Sequence, residues 1–343
     1  MPTLRPKKPE NPEREMPYNP LYSSGESLEA KSIASAANAI VQEIEKAIIG
    51  KSEVIEDAVL TMLCNGHLLI EDIPGVGKTT LAKALARTIG GEFRRVQFTP
   101  DLLPADITGA SVYSQKTEQF EFRPGPVFAN VVLVDEVNRA TPKTQSSLLE
   151  AMEERQVSSD GVTRPLERPF FVIATQNNVE MTGTYPLPEA QLDRFFAKIS
   201  LGYPDKEAEA DILKTQQADH PIENVGQVVS TEELVRLQNE VLKVHVHESV
   251  REYIVDIVRA TRESSLLTIG SSPRGSLFLM TAAQAQAAIN ESDFVRPDDV
   301  KAVAPLALGH RVMVRGEVRA RGTDGAEVIR QVLESVPTPV PVS

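Results

Sequence analysis

Leu68-Leu69-Ile70-Glu71-Asp72-Ile73-Pro74-Gly75-Val76-Gly77-Lys78-Thr79-Thr80 reads as an apolar strand, a Gly-rich turn and the first residues of a helix. The helix continues with apolar residues at Leu81, Leu85 and Ile89, which share one helical face. That order of events builds a phosphate cradle. Gly75 and Gly77 let backbone N–H groups converge on an anion, and the helix N-terminus adds a favourable dipole. Lys78 then reaches the outer phosphates, while the Thr79 hydroxyl is placed to ligate Mg²⁺. One position departs from the usual G-x-x-x-x-G-K-[ST] pattern: Asp72 stands where the first Gly belongs.

Downstream, Val131-Val132-Leu133-Val134-Asp135-Glu136 reads as a strand ending in two carboxylates. Four consecutive β-branched or leucine residues suit a central parallel strand covered on both faces. Ligands bind at the C-terminal ends of such strands. Asp135 is therefore expected beside the cradle, holding Mg²⁺ through water, and Glu136 is expected to polarise the attacking water. A third strand, Pro169-Phe170-Phe171-Val172-Ile173-Ala174-Thr175, ends in Gln176-Asn177. An amide there either holds the attacking water or the γ-phosphate, or serves as an ordinary Asx-type turn residue. Pro188-Glu189-Ala190-Gln191-Leu192-Asp193-Arg194-Phe195 reads as a short helical piece, on which Arg194 by itself is a surface or salt-bridged arginine.

Together these residues resemble the MoxR family of AAA+ ATPases. Glu71 to Thr79 is similar to the family's Walker A region, with Asp72 at home there. Val134-Asp135-Glu136-Val137-Asn138-Arg139-Ala140 and Leu148-Leu149-Glu150-Ala151-Met152 resemble its Walker B block and the helix after it. Ala174-Thr175-Gln176-Asn177 and the stretch from Gly183 to Phe195 resemble its sensor-1 and arginine-finger region. The resemblance runs from about Ile48 to about Val314.

The resemblance implies roles that spacing alone does not. Pro74, Gly75, Val76, Gly77, Lys78, Thr79 and Thr80 would bind ATP, with Thr79 and Asp135 on Mg²⁺ and Glu136 catalytic. Asn177 would be sensor 1. Arg194 would be an arginine finger reaching the nucleotide of a neighbouring subunit, and Arg274, in Ser272-Pro273-Arg274-Gly275, would be sensor 2 acting in cis or in trans. Ile49-Gly50 resembles the segment covering the adenine, although Lys51 stands where Gln is more usual. The implied fold is α/β: a P-loop AAA+ core with a parallel sheet, of the helix-2-insert branch, plus a smaller all-helical C-terminal lid. The implied assembly is a homo-oligomeric, hexameric ring with a von Willebrand factor A (VWA) domain partner and a protein client.

Two candidate hairpins fit that branch. In Gly109 to Pro126, Tyr113, Phe120 and Phe122 flank a polar Ser-Gln-Lys-Thr centre, and in Gln156 to Leu166, Asp160-Gly161 marks the turn. Both are expected to face the ring axis and touch partners.

The 343 residues leave room for one large α/β domain and a smaller second one. Six prolines precede residue 21, so residues 1–25 read as a disordered Pro-rich tail. The nucleotide-binding core is expected over 26–204, the lid over 205–334 and a flexible Pro-rich end over 335–343. A helical pattern runs from Leu28 through Ile33, Ala37, Ile40, Val41 and Ile44 to Ile48. In the lid, Ser230-Thr231-Glu232-Glu233 is a capping box, Ser272-Pro273 fits N-cap and N1, and Pro297 opens another helix. Lid movement with nucleotide state would couple ATP turnover to client strain. Asp205, Glu207, Glu209 and Asp211 read as a charged linker, and Glu150, Glu153 and Glu154 as the solvated face of the helix begun at Thr141-Pro142. His245 and His247 lack the companions of a metal site, and His67 is expected to pack or cap beside the first strand.

A single cysteine, Cys64, excludes an intramolecular disulfide and points to a reducing, cytoplasmic compartment. No apolar run reaches the ~20 residues of a membrane span. The net charge of −12 disfavours broad binding to nucleic-acid backbones. The expected activity is Mg²⁺-dependent ATP hydrolysis driving chaperone-like remodelling of protein partners. Two alternatives stay open: a nucleic-acid motor of the minichromosome-maintenance type, and a nucleotide-switched scaffold with negligible turnover.

Overall fold

The computed structural model of the protein describes residues 26–177, 183–215 and 221–339. The Pro-rich tail expected over 1–25 and the last residues of the C-terminal segment, 340–343, lie outside the described residues.

Two helices, α1 (Glu26–Glu45) and α2 (Ser52–Leu63), precede strand β1 (Leu68–Glu71), which leads through the Gly-rich turn into α3 (Lys78–Thr88). After β2 (Phe93–Gln97) and the short α4 (Pro104–Thr108), the first hairpin forms from β3 (Gly109–Ser114) and β4 (Gln119–Pro124). Next come β5 (Val131–Asp135) and α5 (Pro142–Glu154), then the second hairpin, β6 (Gln156–Ser159) and β7 (Val162–Pro165). β8 (Phe171–Gln176), α6 (Glu189–Leu192) and β9 (Ala197–Ile199) complete the α/β part.

Five strands form one parallel sheet in the order β2-β5-β8-β1-β9. The chain starts at β1, crosses to the far edge and works back, ending on β1's other side at β9. β1 is thus the strand where the order reverses, and the crevice beyond its C-terminal end is where such sheets bind ligands. The strands' continuous apolar runs follow from cover on both faces. Leu68, Ile70, Val131, Leu133, Phe171 and Ile173 pack on one side with α1, α2 and α3. Leu69, Val132, Val134, Val172 and Ala174 pack on the other with Leu148, Leu149 and Met152 of α5.

Beyond Pro204 the chain is mainly helical, with one short strand pair where an all-helical lid is expected: α7 (Lys206–Thr215), α8 (Thr231–Val241), α9 (Glu248–Glu263), β10 (Leu267–Ile269), α10 (Pro273–Ile289), α11 (Pro297–Leu308), β11 (Met313–Val314), α12 (Gly316–Arg319) and α13 (Gly325–Ser335). β10 and β11 pair as a short ribbon, too brief to leave an alternating pattern in the sequence. The expected acidic linker is the first turns of α7: Asp205 Oδ1 accepts the Ala208 N–H at 2.7 Å, an N-cap that starts a helix on the intervening alanines. Ser230 caps α8 by accepting the Glu233 N–H at 3.1 Å. Ser272 holds the N-cap position of α10 without capping it, because its Oγ bonds Asp193 Oδ2 at 3.2 Å. The apolar faces of α8, α9, α10, α11 and α13 join α1 and α2 in one core, which also takes in Val336.

The two hairpins touch. Ser111 Oγ donates to Asp160 Oδ2 at 2.6 Å, and the Arg164 guanidinium lies 3.8 Å above the Phe122 ring. At the first hairpin's exposed tip, Tyr113 and Phe120 are cross-strand partners meeting edge to face at 5.5 Å.

Candidate nucleotide site

A cavity of about 360 Å³ opens at the C-terminal ends of β1, β5 and β8. Its walls carry Pro74, Gly75, Gly77, Lys78, Thr79 and Thr80 from the turn and α3, Asp135 and Glu136 from the end of β5, and Thr175 and Asn177 from the end of β8. Arg95 and Gln97 of β2 close it.

Gly75 and Gly77 have φ of +86° and +97°, left-handed values that a side chain would strain. A Cβ on Gly75 would meet nothing within 4 Å and one on Gly77 only Leu201 at 4.0 Å, so the glycines are needed for backbone direction and not for room. Gly77 is also the N-cap of α3, and no side chain caps the helix. The first N–H groups of an eleven-residue helix therefore face the cradle. Lys78 Nζ donates to the Asp72 carbonyl at 2.9 Å. Burial holds its ammonium below the usual lysine range, against the opposing pull of Asp72, Asp135 and Glu136.

Asp72 does work that a Gly cannot. Its Oδ2 accepts the N–H groups of Leu201 at 2.6 Å and Gly202 at 2.8 Å and the Ser200 hydroxyl at 3.1 Å, while Oδ1 accepts the Ile73 N–H at 2.8 Å.

The two carboxylates of β5 are held apart by different partners. Asp135 Oδ2 pairs with Arg95 Nε at 2.6 Å, and Oδ1 accepts the Thr175 hydroxyl at 3.3 Å. Glu136 takes the left-handed conformation, φ 55° and ψ 54°, which costs a non-glycine residue about 1 kcal/mol or more. Its N–H donates to Thr175 Oγ1 at 2.9 Å, and its Oε2 accepts Gln97 Nε2 at 2.8 Å and Arg139 at 2.9 Å. The backbone twist turns Glu136 away from the strand direction and into the cavity beside Asn177. The sequence names Thr175 only as the end of its strand, without this bonding role, and does not single out Arg95 or Gln97. Their only signal is the period-two placing of Arg95 and Gln97 on a strand whose neighbour, β5, is decided by sheet order.

Thr79 and Asp135 line the same cavity with oxygen donors, the kind Mg²⁺ prefers. Of the other expected nucleotide residues, Val76 turns toward the core. Ile49 and Gly50 lie outside the cavity walls. Gly50 packs where a Cβ would sit 3.0 Å from Ala208 of α7, and neighbouring Lys51 bonds the Tyr203 carbonyl at 2.8 Å.

Arg194 and Arg274 stand elsewhere, on the wall of a second cavity of about 190 Å³. Both bind Glu153: Arg194 through Nε at 3.0 Å, and Arg274 through a close Nη2 contact. Glu153 lies on the exposed face of α5, as the helix pattern suggests, but two arginines distant in sequence converge on it. His67 borders the same cavity and is buried. Its Nδ1 accepts the Val172 N–H at 3.0 Å and its Nε2 lies 3.1 Å from the Met152 carbonyl, so the ring is pinned between β8 and α5. Among the described residues no group of His, Cys, Asp and Glu forms a metal cluster, and no helix is long and apolar enough to cross a membrane.

A sequence model of the ATPase family associated with various cellular activities (AAA) matches residues 67–197, and one of the AAA lid domain matches residues 259–332. The protein YeaC of Bacillus subtilis is 50% identical over 300 residues, 88% of this chain and 94% of that one. Chaperone MoxR1 of Mycobacterium tuberculosis is 42% identical over 306 residues, 87% of this chain and 81% of that one. The crystal structure of a Cytophaga hutchinsonii protein superimposes with a TM-score of 0.84 at 39% identity, covering 91% of this chain and 98% of that one. The P-loop, the paired carboxylates of β5, the parallel sheet and the helical lid all agree with these matches, and the chain belongs to the MoxR family of AAA+ ATPases.

Proposed function

We propose that this chain hydrolyses ATP with Mg²⁺ at the interfaces of a homo-oligomeric ring and uses the cycle to remodel partner proteins. The observation that carries the reading is a division of labour. Lys78, Thr79, Asp135, Glu136 and Asn177 share one cavity, while Arg194 and Arg274 share another with Glu153. Within one subunit the arginines are spatially separate from the phosphate cradle, as residues serving a neighbour's nucleotide would be.

In this reading the first turn of α3 and Lys78 hold the phosphates. Glu136 accepts a proton from the water that attacks the γ-phosphorus, and Asn177 orients that water. Thr79 and Asp135 would hold Mg²⁺, which when bound would neutralise negative charge on the phosphates. Arg194 of the adjacent subunit meets the charge that develops in transfer, a contribution worth about 10³–10⁵ in rate. The relative named Chaperone MoxR1 supports a chaperone-like output, and the family resemblance supports a VWA-domain protein as adaptor. The exposed Tyr113–Phe120 tip is the surface offered to a client.

The test is ATPase rate per subunit against protein concentration, with Glu136→Gln as the blank. A specific rate that climbs with concentration is expected. A flat rate from a species that sizes as a monomer would refute completion of the site between subunits. A rate no better than the blank would favour a nucleotide-switched scaffold.

A further inference from the structure

Arg311 ends the turn after α11, and its side chain is almost wholly buried, with 1% exposure. Every donor bond of its guanidinium goes to main-chain carbonyls or to Asp193, apart from a 2.8 Å contact with His310 Nε2. Nε reaches Asp193 Oδ1 at 3.1 Å. Nη2 reaches the carbonyls of Asp193, at 3.4 Å, and Phe195; Nη1 reaches those of Phe196, at 3.0 Å, and Ala307. The bonds thus bracket residue 194 on both sides without touching its side chain. Below them the guanidinium lies 4.3 Å from the centre of the Phe278 ring, and Phe278 meets Phe196 edge to face at 5.1 Å.

The lid holds the same turn from a second direction. Asp193 Oδ2 accepts the Ser272 hydroxyl at 3.2 Å and lies 4.0 Å from Arg274 Nε. Arg311, Phe278 and Ser272 all belong to the lid, whereas Asp193 to Phe196 belong to the α/β part. The side chain of Arg194 leaves this grip toward the surface and meets Glu153 beside Arg274. A buried ion pair gives little net stability compared with apolar packing. A five-donor planar fork can instead fix the path of a backbone, which an apolar side chain cannot.

We propose that Arg311 is a positioning residue for Arg194: it fastens the turn Asp193–Phe196 to the lid, so that Arg194 and Arg274 are presented as a pair and move with their own subunit's lid. The inference rests on the reading of Arg194 as an arginine that completes a neighbour's site. Its consequence is directional coupling. A lid displaced by its own subunit's nucleotide carries the arginine serving the next subunit's nucleotide, so each site reports to one neighbour.

The test uses the full chain with Arg311→Lys and, as a near-isosteric second variant, Asp193→Asn. Binding of a fluorescent ATP analogue should stay within about threefold of wild type, since neither residue lines the phosphate cavity, whereas kcat should fall on the order of 10²-fold from a misplaced arginine. Equimolar mixing with Glu136→Gln should then recover about a quarter of the wild-type rate, the share of interfaces in a randomly mixed ring that pair an intact cradle with an intact arginine. A kcat at the wild-type level in both variants overturns the proposal. So does a loss that mixing fails to recover while Arg194→Ala recovers under the same mixing, because that marks a merely structural role. If Arg194→Ala itself keeps activity or is not recovered, the trans reading fails first and takes this inference with it. Should Arg311→Lys bind no nucleotide because it does not fold, Asp193→Asn decides by the same criteria.

Discussion

The Asp72 carboxylate accepts the main-chain N–H of Leu201 at 2.6 Å, and this bond ties the phosphate loop to the exit of the edge strand β9. With the Gly202 N–H and the Ser200 hydroxyl on the same oxygen, the loop and the approach to the lid share one anchor. Asp72→Ala is expected to lower stability by about 2 kcal/mol, the scale of a bond to a charged group plus its orphaned donors. It should also weaken ATP binding by loosening the loop. Urea unfolding and nucleotide titration of the same preparation check both, and restoring the common residue with Asp72→Gly should behave no better.

Lys78→Ala should lose nucleotide affinity, whereas Glu136→Gln should keep it and lose turnover by about 10²–10⁴-fold, the range for a general base. Binding by a fluorescent ATP analogue and steady-state hydrolysis separate the two. A Glu136→Gln protein with near-normal kcat would remove Glu136 from the chemistry.

Thr175→Val keeps shape and removes one hydroxyl that serves both carboxylates, accepting the Glu136 N–H and donating to Asp135. The left-handed turn at Glu136 then has an unpaired donor, at a cost of about 1–3 kcal/mol. Turnover should fall more than affinity. Equal falls in kcat and in binding would mean that Thr175 shapes the whole cradle and not the Glu136 turn.

Burial, helped by the nearby Arg155 charge, pushes His67 down from 6.5 to about 3. The ring is neutral in the fold and protonates on unfolding, so the unfolded chain binds more protons between those values. His67's contribution is therefore complete above about pH 6.5 and lost as the pH falls toward 3, at up to about 1.4 kcal/mol per pH unit. Asp57 works in the opposite sense: burial, then Glu56 and Glu53, raise it to about 7, so its folded form favours acid and stability falls as pH rises from 3.8. His310, held well below the ordinary histidine value chiefly by burial, acts in the same sense as His67. Urea unfolding at pH 7 and pH 5 should show His67→Asn losing about 2 kcal/mol less than wild type over that interval. Parallel losses would mean that His67 titrates normally in the fold.

Much of the cradle is legible in the chain because its chemistry is local. Gly75, Gly77, Lys78 and Thr79 sit within one strand–turn–helix unit, and the run Val131 to Glu136 declares a central strand by composition. What escapes is whatever depends on strand order and tertiary approach. Arg95 and Gln97 look like surface polar residues until β2 is known to lie beside β5. Glu153 follows a solvated helical pattern and is read as such, because nothing in α5 shows that Arg194 and Arg274 will fold onto it. Arg311, more than a hundred residues beyond the turn it grips, has no local signal at all. Asp72 is the intermediate case: its oddity is visible in the sequence, and its reason lies in Leu201 and Gly202.

The two hairpins are cross-pinned twice, by Ser111 on Asp160 and by Arg164 over Phe122. One is rooted at α4, the other at the end of α5, the helix whose last turn carries Glu153. Force applied to the Tyr113–Phe120 tip is therefore not absorbed by one flexible ribbon. In the proposed remodelling cycle it would pass across the pins as torque on α5 toward the carboxylate shared by Arg194 and Arg274, which would set traction on a client and the readiness of those arginines at opposite ends of one lever.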